Sequence, residues 1–160
     1  MRRALPWILL VLTLCWCVVI WQFSLRPASE SAETSSATLD QVNEVLESVG
    51  LPLRFDHHTI RKTAHFAEFF ALGVLSAATL VAFGFSHGQF LAPVAALLVA
   101  CVDEILQIFS PGRGPSILDV LLDAAGGICG SIAFFLVFWL ALYLRERRGR
   151  KKSEINEKNA

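Results

Sequence analysis

Four long apolar blocks dominate this 160-residue chain and limit what it can fold into. They cover residues 4–23, 66–85, 90–109 and 117–144. Each block reaches the roughly 20 residues that an α-helix needs to cross about 30 Å of hydrocarbon. Apolar residues make up 54% of the chain and form continuous runs rather than alternating patterns. We therefore predict an all-α integral membrane protein, built as a bundle of four transmembrane helices.

Basic residues flank both ends of the predicted bundle. Arg2 and Arg3 precede the first block, and a basic run at residues 145–152 follows the last. The positive-inside rule therefore predicts that both termini are cytoplasmic, and an even number of crossings agrees with this. The first apolar run is longer than the core of a usual signal peptide, so we interpret it as a retained helix.

These features predict four parts along the chain. The first transmembrane helix covers residues 1–23, an extracytoplasmic linker 24–59, a three-helix core 60–144 and a basic cytoplasmic tail 145–160. Within the linker, residues 28–38 are rich in Ser, Glu and Thr, which is typical of a flexible segment. Leu39, Val42, Leu46 and Val49 then follow at helical spacing. This spacing predicts an amphipathic helix packed on the bundle.

Two clusters of polar residues interrupt the apolar blocks. The first opens the second block with Arg61, Lys62, His65 and Glu68. The second joins the third and fourth blocks with Asp103, Glu104, Gln107, Arg113, Asp119 and Asp123. An ionisable side chain near the centre of a membrane helix costs about 2.5 to 3.5 kcal/mol, so retained charges generally have a function. We interpret the two clusters as one working site.

The rise of 1.5 Å per helical residue gives each polar side chain a predicted depth. Counted from Lys62, Phe109 and Ile117 as the outer ends of the predicted helices, Glu68, Asp103 and Asp123 each lie roughly 9 Å down a helix. His65 and Asp119 come out about one turn nearer the surface. Three basic residues surround the mouth, namely Arg61, Lys62 and Arg113. The prediction is a cationic rim above an acidic floor.

Small residues and a stiff turn favour the same arrangement. Gly126 and Gly130 form a small-xxx-small pair, as do Gly127 and Ser131, so a neighbouring backbone can approach the last helix closely below Asp123. Two prolines and two glycines occupy residues 111–115, which predicts a tight turn between the third and fourth helices. Such a turn would direct Arg113 back over the cavity.

Four sequence blocks resemble the VanZ-like membrane proteins, a family named after a teicoplanin-resistance protein. They are RKTAHFAEF at 61–69, DEILQIF at 103–109, PGR at 111–113 and DVLLDAAGG at 119–127. The blocks have the order and spacing of the family over roughly residues 60–130, and family members often carry Asn in place of Asp123. The resemblance implies a multi-pass protein of the bacterial cytoplasmic membrane with a link to glycopeptide resistance.

The polar clusters are compatible with three functions. An enzyme acting on an anionic, phosphorylated envelope lipid, a hydrolase or transferase, would use His65, Glu68, Asp103, Asp119 and Asp123 in catalysis. It would bind substrate through Arg61, Lys62, Glu104, Gln107 and Arg113. A divalent metal held by the imidazole and carboxylates is a variant of this hypothesis.

The alternatives are non-catalytic. One is a module that binds a lipid or an antibiotic, or supports an envelope partner, with the cavity as a recognition site. The other is a purely structural role, in which Arg113 pairs with Asp119, or Lys62 with Glu68, and fixes the order of the helices. Buried pairs add little net stability, which argues against keeping so many charges for this purpose. The predicted partners are membrane lipids, and no nucleic acid is expected.

Overall fold

The computed structural model describes residues 3–50 and 55–158, without the side chains of residues 34, 35, 37 and 152–158. Within these residues the chain forms helices and no strands, as predicted. The helices are α1 (Leu5–Ser24), α2 (Ala28–Ser48), α3 (His57–Ala82), α4 (Gly88–Gln107) and α5 (Ile117–Lys158). Four of them, α1, α3, α4 and α5, are long and apolar enough to cross a membrane. The predicted all-α membrane bundle is therefore confirmed.

Two helices extend beyond the apolar blocks that predicted them. Helix α3 begins at His57, because the Asp56 side chain accepts a 2.8 Å hydrogen bond from the backbone N–H of Thr59 and so caps the helix. The polar sequence RKTAH thus lies inside the helix rather than before it. Helix α5 continues through the basic run to Lys158, where we had predicted an end at residue 144.

The predicted flexible linker is instead helical. Helix α2 begins at Ala28 and runs to Ser48, so residues 28–38 form its first half. The backbone N–H of Ala28 donates a 3.1 Å hydrogen bond to the carbonyl of Pro111, which ties the start of α2 to the α4–α5 turn. Helix α2 packs against α3, with Leu39, Val42 and Leu46 half-buried as the helical spacing predicted. Val49 instead follows the end of the helix and is exposed.

Close contact between α3 and α5 dominates the packing of the bundle. A Cβ on Gly126 would lie 2.5 Å from the carbonyl oxygen of Phe66, and one on Gly130 would overlap the backbone of Phe70. A Cβ on Gly127 would overlap Ala96 of α4. The small-xxx-small prediction is therefore confirmed: glycine brings two neighbouring helices against α5 just below Asp123.

The helix order places the polar clusters at one end of the bundle. Helices α1 and α4 end there, and α3 and α5 begin there. The first described residues and the end of α5 lie at the opposite end, as four crossings require. Many large apolar side chains on the outer surface are exposed and suited to contact lipid. The cytoplasmic placement of the termini stays a prediction, and Arg2, one of the residues behind it, lies outside the described residues.

Candidate functional site

Three helices bring an imidazole and two carboxylates together inside the bundle. Nδ1 of His65 on α3 lies 3.7 Å from Oδ1 of Asp123 on α5. Asp103 on α4 completes the group, in which one ligand atom from each residue lies within 4.8 Å of the others. Both aspartates are 0% exposed. We call His65, Asp103 and Asp123 the buried triad.

Hydrogen bonds hold the carboxylate of Asp103 in place. The Ser24 hydroxyl at the end of α1 donates to Oδ1 at 2.6 Å, and the Gln107 amide donates to Oδ2 at 3.2 Å. Gln107 is one turn after Asp103, so the prediction that the two share a helix face is confirmed. Each Asp103 oxygen thus has one donor, and the carboxylate orientation is set from two helices.

The other two members of the triad lack such partners. Neither carboxylate oxygen of Asp123 has a hydrogen-bond partner among the described residues, and neither does Nδ1 of His65. All three atoms are shielded from solvent. A buried polar group without a partner costs about 1 to 3 kcal/mol. These atoms are therefore available to bind a proton, a water molecule or a cation.

A cation-lined cavity of about 180 Å³ opens beside the triad. Its walls are Phe23, Arg26, Ser31, Arg61, Ala64, His65, Glu68 and Arg113. We call it the arginine pocket. His65 belongs both to the pocket wall and to the buried triad, so the two features meet at this side chain. Glu68, a predicted catalytic residue, also lies in the pocket wall.

Arg113 reaches the pocket from the α4–α5 turn, as predicted. Its guanidinium donates to the carbonyl of Ser24 at 3.4 Å and to the hydroxyl of Ser31. Ser110 donates to the same Ser24 carbonyl at 2.7 Å, and Gly112 adopts a φ of 77°, which reverses the chain. Burial lowers the pKa of Arg113, and the positive charge of Arg61 lowers it further. Both effects favour an anion in the pocket.

Two predicted site residues lie apart from the pocket and the triad. Lys62 pairs with Asp119 at 3.6 Å, and both side chains are partly exposed. Lys62 lines a different cavity, together with Phe66 and Leu122. The sequence had offered Lys62 with Glu68, or Arg113 with Asp119, as structural pairs. Among the predicted site residues, the structure instead pairs Lys62 with Asp119 and brings His65 to Asp123.

Glu104 faces the backbone of the next helix. It is buried and accepts a hydrogen bond from the backbone N–H of Ser116, directly before α5 begins. Its second oxygen is buried without a partner among the described residues. This contact joins the end of α4 to the start of α5. Glu104 does not line the arginine pocket, so no contact there supports its predicted role in substrate binding.

The predicted depths differ from the structure at His65 and Glu68. We had placed Glu68 on the acidic floor with Asp103 and Asp123, and His65 one turn above it. In the structure His65 lies with the two aspartates, while Glu68 lines the arginine pocket. The count began at Lys62, whereas α3 begins at His57, and a position along one helix does not fix which side chains of neighbouring helices it meets.

Sequence reasoning missed three residues that shape the site. Ser24 contacts Asp103, and Ser31 contacts Arg113. Arg26 lines the arginine pocket, with its guanidinium 4.5 Å from the centre of the Phe23 ring. A basic residue at the predicted outer end of α1 opposes the positive-inside rule, and this was a usable signal for Arg26. Neither serine carried such a signal, because its partner is distant in sequence.

Comparison with known proteins decides the family. The family model described as VanZ/LLP1 matches residues 9–141, which is most of the chain. The chain belongs to the VanZ/LLP1 family. The match includes α2, α3, α4, most of α1 and the first part of α5, and with them every residue of the triad and the pocket. No curated protein and no solved structure matches the chain.

Membership of the VanZ/LLP1 family confirms the resemblance drawn from the sequence motifs. In the structure, parts of three of these motifs meet in space. RKTAHFAEF supplies Arg61, His65 and Glu68, DEILQIF supplies Asp103, and DVLLDAAGG supplies Asp123. Chemically, this VanZ/LLP1 protein combines cations that can bind an anion with buried ligands and a carboxylate that can accept a proton.

Proposed function

We propose that this VanZ/LLP1 protein binds the phosphorylated headgroup of a membrane lipid in the arginine pocket. One observation carries the proposal: Arg26, Arg61 and Arg113 line a single small cavity at the end of the membrane bundle. Guanidinium groups bind phosphate through charge-assisted, often bidentate hydrogen bonds. Among the described residues that line this cavity, Glu68 alone is acidic. A bound dianion would balance the excess of positive charge.

The unsatisfied groups in the pocket support an anionic ligand. Neither Arg26 nor Arg61 forms a salt bridge with a described residue. Nε of Arg113 is buried and has no hydrogen-bond partner among the described atoms. A phosphate oxygen at this position would accept from Nε and reduce the repulsion between Arg61 and Arg113. The pocket thus offers both charge and free donors to a phosphate.

The surroundings of the pocket support an amphiphile rather than a soluble phosphate. A volume of about 180 Å³ is below the 300 to 1,000 Å³ typical of pockets that enclose drug-sized ligands, so it suits a headgroup alone. Phe23 and Leu25 beside it remain 39% and 46% exposed. An acyl or isoprenyl chain could lie along this apolar surface while its phosphate occupies the pocket.

Lipid binding by the purified protein tests the proposal directly. The protein would be titrated in detergent micelles with an isoprenyl phosphate, with phosphatidic acid and with neutral diacylglycerol. We expect the two phosphorylated lipids to bind and Arg61→Ala to weaken their binding at least about tenfold, the loss of one charge-assisted contact. Lys62→Ala is the matched control, since it removes an adjacent cation that lines a different cavity. Equal losses in both variants would contradict the proposal.

Hydrolysis of the bound phosphoester is a second candidate, favoured by the position of Glu68 in the pocket wall. Glu68 would accept a proton from a water molecule whose oxygen attacks phosphorus. The bond from phosphorus to the lipid oxygen would break, and that oxygen would take up a proton. The test is phosphate release from the same lipids. We expect Glu68→Gln to lose release while it retains binding, and absence of release by the wild-type protein would leave the binding function alone.

The family name extends the proposal to the cell envelope. We infer that the headgroup belongs to an anionic envelope lipid at the outer face of the bacterial cytoplasmic membrane, and that its binding alters susceptibility to teicoplanin. In cells, Arg61→Ala should abolish any change in susceptibility that the wild-type protein causes, while Lys62→Ala should preserve it. Protein abundance must be equal in the membrane fractions. Loss of the phenotype with Lys62→Ala alone would contradict this link.

A further inference from the structure

We propose that His65, Asp103 and Asp123 bind one divalent first-row metal cation. This inference does not depend on the lipid proposal, because it rests on the buried triad rather than on the arginine pocket. The triad draws one residue from each of α3, α4 and α5. An imidazole with two carboxylates is a common ligand set for such a cation.

The distances within the triad suit a shared ion. Nδ1 of His65 and Oδ1 of Asp123 are 3.7 Å apart, and a ligand atom of Asp103 lies within 4.8 Å of both. Metal–ligand bonds of about 2.0 to 2.2 Å place neighbouring ligand atoms roughly 3 to 3.5 Å from each other. Small side-chain rotations close the remaining difference. The glycine contacts between α3, α4 and α5 allow the helices to approach this closely.

Charge balance favours a cation at the triad. Asp103 and Asp123 are both 0% exposed within the membrane-spanning part of the bundle, where two unneutralised carboxylates are costly. The basic side chains do not reach between them: Lys62 pairs with Asp119, and Arg113 contacts Ser24 and Ser31. One divalent cation with a neutral His65 brings the net charge of the triad to zero.

The unpartnered atoms distinguish a metal from a shared proton. Both oxygens of Asp123 and Nδ1 of His65 are buried without partners among the described residues. A single proton joins only two heavy atoms, so it would leave the third unsatisfied. A metal ion can accept lone pairs from the imidazole, from Asp103 and from both oxygens of a bidentate Asp123 at once. It therefore explains why these polar atoms converge without hydrogen bonds to each other.

The hydrogen bonds around Asp103 match the usual support of a metal ligand. Ser24 and Gln107 each donate to one of its oxygens, at 2.6 and 3.2 Å, and each oxygen keeps a lone pair for the metal. Such outer partners orient the ligating carboxylate. Three protein ligands leave coordination positions free. Since His65 also lines the arginine pocket, an anion bound there would lie beside the metal site.

Metal binding by the full-length protein in detergent tests the inference. The protein would be purified without chelator, stripped, and titrated with Zn²⁺ or Mn²⁺ alone against a competing chromophoric chelator. We expect about one tightly held ion per chain, and an increase in thermal stability on its addition. Asp103→Asn and His65→Gln should each weaken binding at least about tenfold, since loss of an outer partner alone costs 10- to 100-fold.

Asp40→Asn, an exposed carboxylate on α2, is the matched control and should leave binding unchanged. If the triad variants fail to fold, Co²⁺ absorption of the wild-type protein still decides the matter, because its visible bands report the coordinating atoms. Absence of a stoichiometric ion in the wild-type protein, or undiminished binding in folded triad variants, would overturn the inference. Arg61→Ala should retain the metal while it loses phosphorylated lipid, so the two proposals can fail separately.

Discussion

The hydroxyl of Ser24 donates a 2.6 Å hydrogen bond to Asp103, so the last residue of α1 holds the buried carboxylate of α4. The carbonyl of Ser24 also accepts from Ser110 at 2.7 Å and from Arg113 at 3.4 Å. One residue thus contacts the triad through its side chain and the arginine pocket through its backbone. A substitution at Ser24 removes only the contact with the triad, because the backbone carbonyl remains.

We predict that Ser24→Ala lowers the free energy of unfolding by about 1.5 to 3 kcal/mol, the range for a hydrogen bond to a charged group. The variant removes a donor from a fully buried carboxylate, and alanine cannot replace it. Thermal unfolding in detergent micelles measures the effect. Ser29→Ala, at an exposed position, is the control. Equal unfolding temperatures for the two variants would show that the Ser24 hydroxyl does not stabilise Asp103.

Gly130→Ala should loosen the bundle. The new Cβ would overlap the carbonyl of Phe70 and lie 3.1 Å from its Cα, so α3 and α5 must separate. Overpacking of this kind costs about 1 to 3 kcal/mol. The same displacement would move His65 away from Asp123, so the affinity of the triad for metal should fall with the unfolding temperature. Gly149→Ala is the control, because nothing lies within 4 Å of that position.

The fold could be predicted from the sequence because membrane spanning depends on local composition. A run of apolar residues longer than the bilayer core indicates a helix regardless of its neighbours. The convergence of the polar residues was predictable in part, since Lys62, Glu104 and Asp119 lie apart from the pocket and the triad. His65 follows Arg61 by one turn and Asp123 follows Asp119 by one turn, so each motif had to occupy one helix face. Residues spaced by one helical turn lie on the same face of their helix, so this spacing in a sequence indicates which side chains point the same way in the fold.

Features that depend on caps and distant partners could not be predicted. His65 rather than Glu68 groups with Asp103 and Asp123, because contacts between helices decide which side chains meet and position along one helix does not. Residues 28–38 were predicted flexible from composition, yet Pro111 binds Ala28 and α3 packs on the helix. Ser24 and Asp103 are 79 positions apart, and neither residue type identifies the other. Tertiary contacts override composition at these positions.

The Asp56 cap predicts a pH-dependent end of α3. Hydrogen bonds from the Thr59 side chain and backbone N–H lower the pKa of Asp56 in the folded protein. A carboxylate whose pKa is lowered on folding stabilises the protein at pH values above its unfolded pKa of about 3.9. This stability is lost as the pH falls through the pKa of the folded protein. Asp56→Ala should therefore increase hydrogen exchange in the first turn of α3 at pH 6. The difference from the wild-type protein should shrink as the pH falls below about 4.

Asn is the control substitution at this position, since it caps a helix about as well as Asp and does not titrate. Asp56→Asn should protect the first turn at pH 6, and its protection should change little between pH 6 and pH 3. If Asp56→Asn exchanged as fast as Asp56→Ala at pH 6, the negative charge rather than the cap would hold the turn. A wild-type turn equally protected at both values would contradict the titration of Asp56.

Glu104 offers the sharpest separation of a structural from a ligand-binding role. It accepts from the backbone N–H of Ser116 at the start of α5, where a negative charge is also favoured by the helix dipole by about 0.3 to 1 kcal/mol. Glu104→Gln keeps an acceptor and loses the charge, whereas Glu104→Ala loses both. We predict that thermal stability falls in the order wild type, Gln, Ala. Affinity for a phosphorylated lipid should fall far less in Glu104→Gln than in Arg61→Ala.

Whether thermal stability or lipid affinity is lost first in the Glu104 variants distinguishes a structural role from a ligand-binding role. If Glu104 contacts the ligand, Glu104→Gln should weaken ligand binding without lowering thermal stability, because the amide removes the charge at the contact. A residue that joins α4 to α5 loses stability first, and affinity only when the turn that carries Arg113 is displaced. Since Glu104 contacts Ser116 and does not line the arginine pocket, the second order is expected. The first order would restore Glu104 to the ligand-binding residues that its sequence motif predicted.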